Sequence, residues 1–501
     1  MHNINHIGRI NNFHIFFSIV CVILWGWLGS YIILSAIFRS QWLSENLPIA
    51  PMFSVAFTLT IIVSIWFNRH LISHSITRVS VCISKICFRN WILLCLGIGI
   101  ILRIGAAMIA PGAESFVSDT AAYWDLAQRL AAGDTYEHAR GRSFWPPGLP
   151  LLLAPFVSIL GSESWVFVFV NLLLYIATTY VALSLAKQLI GDGSARIAVL
   201  ILAIWPNFVL FSAIPTKEIV VALLLPMSVL FYLRGVEMVA QKDKMRWQNF
   251  VGCGICLGFA ALTQPATALF GFIFVGYELL VSTPLSQKIS RLAIAGVVTV
   301  LTVLPWTARN YAVHGEFIPI NTAGGIVFYA ANNANASGGW IPDHLFIDSE
   351  IRQARKRGDE ILEKNLAYEK AFAWIKENKL HFLKLIVLKQ MRFLCCDDTG
   401  AFIFEHPATP SVSNLFLYQV FALISNAFWI LLALLILYGA LNSKKLAERN
   451  LPIAVLTLFS IYYLLTIFSF FESESKQHTQ VVVFLALMAS CAFQPKQSES
   501  L

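Results

Sequence analysis

Residues 91–150 read WILLCLGIGIILRIGAAMIAPGAESFVSDTAAYWDLAQRLAAGDTYEHARGRSFWPPGLP. The first twenty, Trp91 to Ala110, carry a single charge, Arg103, and are long enough to cross a hydrocarbon core of roughly 30 Å as a helix. The next forty, Pro111 to Pro150, are the one long polar interruption in the first third of an apolar chain. Such an alternation specifies a membrane protein whose polar stretches lie outside the lipid.

The rest of the chain agrees. Its 501 residues are 57% hydrophobic and only 13% charged, with mean hydropathy +0.69. A soluble domain has about 25% charged residues. Backbone polar groups in lipid must be satisfied within their own segment, so helices dominate and the fold class is an all-α polytopic membrane protein. The formal charge of +8 is explained by Lys and Arg gathered in cytoplasmic loops and calls for no nucleic-acid surface. Cys253 and Cys256 lie in an apolar run without a second pair at zinc spacing and read as small core residues. The adjacent Cys395 and Cys396 fall in a polar stretch, their redox state open.

Hydropathy marks about twelve spans. Two precede Trp91, Phe13 to Phe38 and Leu47 to Phe67, followed by the basic connector Asn68 to Asn90, which has no acidic residue and is placed in the cytoplasm. Trp91 to Ala110 then crosses outward, which puts Pro111 to Pro150 on the far side. Leu149 to Leu160 is too short to span and reads as an interfacial helix. Later spans are Ser164 to Lys187, Ala195 to Pro215, Ile219 to Leu233, Phe250 to Thr263, Ala266 to Val281 and Leu292 to Pro305, then Leu415 to Leu441, Leu451 to Phe470 and Thr479 to Phe493. Four parts follow: a two-helix membrane extension over 1–90, a catalytic membrane core over 91–305 with its active loop at 111–150, a mixed extracytoplasmic loop domain with juxtamembrane helices over 306–414, and C-terminal transmembrane helices over 415–501.

Chemistry is sought in the polar stretch. A helix starting near Ser118 and Asp119 puts Asp119 on one stripe with Tyr123, Leu126 and Leu130, while Asp125 and Arg129 form a solvated pair on another face. Asp119 is therefore the candidate base; as an alternative, an Asp before an apolar helix is a common cap. A base must be ionised, near the acceptor hydroxyl and partly shielded, conditions that a helix start at the membrane rim provides. Arg140 and Arg142 have the planar forks that clamp a phosphate, or else meet lipid headgroups. Lys217 and Glu218 occupy the short outer turn Pro215 to Ile219, and Arg309 stands at the exit of a later span. An intramembrane charge such as Arg103 requires a partner or ligand, unless it snorkels outward. Trp124, Trp145, Trp306 and Tyr311 suit either an interfacial belt or stacking on a sugar. No phosphate-cradling GxxxxGK[ST], GxGxxG, HExxH or Gly-x-Ser-x-Gly motif is present, and no cytoplasmic loop is long enough for a nucleotide-binding domain. A donor must therefore arrive through the membrane.

An ordered set of stretches carries a family resemblance: SDTAAYWDLAQRLAAGDTY, FWPPGLPLLLAPFVSILG, NFVLFSAIPTKE, LTQPATAL, LPWTARNYAVHGEFIPINTAGG and NNANASGG. Together, from about Trp91 to Pro342, they resemble the GT-C class of integral-membrane glycosyltransferases. The branch is the one related to protein O-mannosyltransferases and the lipid A aminoarabinose transferase. The resemblance implies transfer of a sugar from a polyprenyl-phosphate carrier to an acceptor hydroxyl on the extracytoplasmic face of the inner (plasma) membrane. It implies Asp119 as catalytic base and Glu218 as the second acid of the site. Arg103, Tyr123, Arg140, Arg142, Trp145, Lys217 and Arg309 are the expected substrate-binding set. The chain departs from the pattern at Thr120, where many relatives have Glu, and at Gln264, where Arg is common. The expected partners are the lipid-linked donor, a glycan, lipid or protein acceptor and membrane lipids, with no nucleic acid. No cofactor is assigned, no metal ligands are identified and the need for a divalent metal stays open. The alternative readings are a transporter or flippase of a lipid-linked saccharide, and a membrane glycan polymerase or ligase.

Overall fold

The computed structural model describes residues 69–110, 119–240, 247–404, 412–442 and 444–493, with a few positions between 20 and 28. The first two expected spans, Phe13 to Phe38 and Leu47 to Phe67, lie almost wholly outside the described residues. Among the described residues the protein is helical, its one strand-like contact being the His138–Gly141 bridge. Five helices among the described residues are long and apolar enough to cross a membrane: Phe88–Ile109, Ser164–Leu189, Lys217–Glu237, Leu285–His314 and Asn414–Ala440. Asp192–Ile204 and Pro206–Ala213, bent by 56° at the break between them, are apolar and long enough only when taken together. Shorter apolar helices, Gly148–Leu160, Trp247–Thr263 and Val455–Phe470 among them, complete the bundle.

Proline causes the bend and arginine makes it tolerable. Pro206 has no N–H, so it leaves the carbonyl of Leu202 without its helical partner. Arg103, fully buried on Phe88–Ile109, donates to that carbonyl at 3.2 Å and to those of Ala203 at 3.3 Å and Gly99 at 3.0 Å. Its guanidinium lies 3.6 Å from the centre of the Tyr175 ring. The intramembrane charge thus braces a helix end and does not face the rim.

Close approach elsewhere depends on small residues. Gly254 and Gly258, four apart on Trp247–Thr263, face Leu285–His314; a Cβ at Gly254 would lie 2.6 Å from the Ala295 carbonyl, and one at Gly258 2.5 Å from Thr302 Cβ. Such spacing lets two membrane helices touch along their backbones. Gly254→Leu is expected to force the helices apart, costing roughly 1–3 kcal/mol, and to lower the thermal midpoint of the detergent-solubilised protein. An unchanged midpoint would count against this contact. One turn before Ala295, Arg291 donates at 3.1 Å to the buried Glu278 of helix Phe272–Leu280, which also accepts from Tyr232 Oη at 2.8 Å.

Helix Leu285–His314 passes through Pro305 and stops at Gly315, which caps it with φ 70°. Trp306, Arg309 and Asn310 therefore stand on a rigid helix. Beyond it, the stretch read as mixed folds as helices Gly324–Ala331, Ser349–Lys356, Glu360–Glu377 and Lys379–Leu394, with a small core of its own built on Ile326, Ile347, Ile351 and Ala367.

Candidate active site

Helix Asp119–Ala132 begins at the carboxylate singled out by its spacing. Its stripe behaves as periodicity requires: Tyr123 and Leu126 are buried, whereas Asp125 and Arg129 pair on the exposed side at 2.8 Å. The helix packs on Gly148–Leu160, and a Cβ at Gly148 would lie 2.6 Å from the Thr263 backbone, so this layer sits directly on the end of Trp247–Thr263.

Asp119 meets the start of another helix. Lys217, in the first turn of Lys217–Ala240, brings Nζ to 3.8 Å from Asp119 Oδ2 and to 5.6 Å from the centre of the Tyr123 ring. Glu218 beside it is buried and accepts from Thr216 Oγ1. Tyr123 is 1% exposed and its hydroxyl has no hydrogen-bond partner among the described residues. Burial first, then the charges of Asp119 and Glu218, hold its phenol well above the ordinary tyrosine range. The Trp145 ring stands edge-on to Tyr123 with centroids 5.6 Å apart, and its buried Nε1 likewise has no partner among the described residues. Asp119, Tyr123, Trp145, Lys217 and Glu218 therefore converge.

The other arginines do not join them. Arg103 is at the helix bend. Arg140 pairs with Glu363 at 3.2 Å and Asp343 at 3.6 Å, and Arg142 pairs with Glu137 at 3.3 Å. Arg309 donates to the carbonyls of Arg142 at 2.9 Å and Tyr136 at 3.0 Å and to Ser143 Oγ at 2.7 Å. The centre of this second network is Glu360, a residue absent from the sequence reading. It accepts from the backbone N–H of Arg142 at 2.9 Å, that of Ser143 at 3.2 Å and Thr322 Oγ1 at 2.6 Å, and faces His314 at 3.4 Å. Tyr136 ties the two regions together by donating to the carbonyls of Trp145 and Pro146. A cleft of about 680 Å³ lies against the network, lined by His138, Arg140, Arg142, His314 and Arg355.

Lys476 and Glu472 also reach the first cluster, from the turn after helix Lys444–Phe470. Sequence reasoning passed over them, although the span count put that turn on the same side as Asp119.

Residues 145–307 match the family model of dolichyl-phosphate-mannose-protein mannosyltransferases. That stretch runs from Trp145 to the end of the membrane core and includes Lys217 and Glu218. Among solved structures the chain is similar to the archaeal oligosaccharyltransferase AglB from Archaeoglobus fulgidus, in complex with an inhibitory peptide and a dolichol-phosphate, at 13% identity and TM-score 0.46, over 81% of this chain and 50% of that one. It is also similar to ArnT from Cupriavidus metallidurans bound to undecaprenyl phosphate, at 15% identity and TM-score 0.43, over 80% and 77% of the two chains. The chain spans about half the length of the archaeal protein. No curated protein matches it. The matching family and these structures are of the GT-C glycosyltransferase class that the ordered motifs resemble.

Proposed function

We propose that the protein is a glycosyltransferase that moves a sugar from a polyprenyl-phosphate carrier to an acceptor hydroxyl on the extracytoplasmic face of the membrane. The observation that carries the reading is the Asp119–Lys217 pair over Tyr123, a carboxylate and an ammonium 3.8 Å apart at two helix starts. In this reading Asp119 takes the proton of the acceptor hydroxyl, whose oxygen attacks the anomeric carbon. The bond from that carbon to the phosphate oxygen breaks, its electron pair leaves with the phosphate, and Lys217 stabilises the charge that develops there. Glu218, held by Thr216, fixes the electrostatic wall behind Lys217, and Trp145 offers an aromatic edge and an N–H to the sugar. Arg140, Arg142 and Arg309 act at one remove: they hold the loop that carries Trp145. Arg103 has no part in the proposed site.

The purified full-length chain, given a radiolabelled polyprenyl-phosphate sugar and a mixture of lipid, glycan and peptide acceptors, is expected to release polyprenyl phosphate and form a new glycoside. Movement of the intact donor across a bilayer without any glycoside would replace this reading with a flippase.

A further inference from the structure

Between helices Lys444–Phe470 and Val482–Ser490 the chain makes a polar turn, FESESKQHT at 471–479. The turn is firmly built. Glu474 and Gln477 form a reciprocal capping box at the start of the short helix Ser475–Val481. Ser473 N donates to the Gly338 carbonyl at 3.0 Å, and Trp340 N donates to Glu474 at 3.3 Å. The short helix packs against Lys217–Ala240, and from it Lys476 feels the charges of Asp119 and Glu218 at the start of that helix and of Asp119–Ala132.

This packing places Lys476 inside a ring of carboxylates. Glu474 lies 3.5 Å from its Nζ, and Asp119, Glu472 and Glu218 are near enough to act on its charge. Burial works against the ammonium, yet Glu474, Asp119, Glu472 and Glu218 together hold it above the ordinary lysine range. Lys476 is thus a positive charge that also acts on Tyr123, whose hydroxyl has no partner among the described residues.

Resting on the glycosyltransferase reading, we propose that Lys476 is a second phosphate-binding residue, which together with Lys217 grips the phosphate of the lipid carrier. The chemistry calls for two cations. A carrier phosphodiester has one negative charge, and the departing phosphate gains another when the carbon–oxygen bond breaks and its electron pair moves to oxygen. One ammonium on the helix start and one on the turn match this change in charge. Glu472 makes room for the anion: burial pushes its carboxyl up to about 7, so it takes up a proton readily as a phosphate arrives.

The test is titration of the full-length protein in nanodiscs with a polyprenyl phosphate, and with the matching polyprenol as control. Lys476→Met is expected to weaken phosphate binding about tenfold to a hundredfold, Lys476→Arg to restore most of it, and neither to change polyprenol binding. The same loss is expected when Lys476→Met is made on top of Glu474→Gln. The inference is overturned if K476M binds the phosphate like the wild type, if phosphate and polyprenol binding fall equally, or if the loss disappears in the E474Q background, which would reduce Lys476 to a counter-ion for Glu474. Wild-type protein that binds no polyprenyl phosphate at all would overturn the glycosyltransferase reading itself; wild-type binding with an unaffected K476M overturns only the role of Lys476.

Discussion

Asp119→Asn is expected to lower kcat for sugar transfer about a hundredfold to ten-thousandfold, the range that general bases contribute. The amide keeps the size and shape of the carboxylate but cannot accept the acceptor's proton. Stability should hardly change. The ion pair that is lost, Asp119 with Lys217 at 3.8 Å, has an acid side chain 41% exposed, and pairs open to solvent contribute roughly 0–1 kcal/mol. Donor binding should likewise persist, because the proposed phosphate ligands are untouched. Transfer rates, thermal midpoint and affinity for polyprenyl phosphate, measured on the same preparation, separate chemistry from folding. Near-normal turnover in this variant would exclude Asp119 as the base, and an equal collapse of all three quantities would mean that Asp119 is structural.

The second large effect is expected far from the reacting atoms. Glu360→Ala removes one buried carboxylate and strands the backbone N–H groups of Arg142 and Ser143, the Thr322 hydroxyl and the facing His314. Breaking a buried charged network from one side costs roughly 3–5 kcal/mol, so the loop over 133–145 should come loose. Protease cleavage within the loop and a drop in midpoint are the direct signs, and transfer should fall because Trp145 loses its support. Glu360→Gln keeps an acceptor and should lie between alanine and wild type. An E360A protein with wild-type midpoint and protease resistance would show that the loop is held by other means. A side chain at Gly141 offers an independent check, since its φ of 135° and a Cβ 2.7 Å from the Glu360 carboxylate leave no room for one.

What was legible in the chain was local. The five long spans follow from run length, the Asp119 stripe from the 3.6-residue period, and the Asp125–Arg129 pair from its spacing; the other expected spans are shorter or bent helices or lie outside the described residues. Arg140, by contrast, finds its partner Glu363 at a separation of 223 residues, and no period reports such a pairing. The pattern of Arg140 and Arg142 suggested two free forks; Arg142 meets Glu137 within its own loop, while the acids of Arg140, Asp343 and Glu363, come from the stretch beyond Leu285–His314, which hydropathy only marks as polar. Arg103 was legible as a charge in need of a partner, but that partner is a set of carbonyls freed by Pro206. Glu472 and Lys476 were hidden because a short charged turn between two apolar runs looks like any exit from the membrane.

The ring around Lys476 draws on both ends of the described chain: Asp119 opens one helix and Lys476 precedes the last of them. During synthesis the first loop emerges hundreds of residues before its counterpart. A nascent chain halted after helix Leu285–His314 would have the acid and Lys217 without the turn that completes the ring, so the proposed two-cation grip is assembled only when the hairpin that carries Lys476 has been inserted.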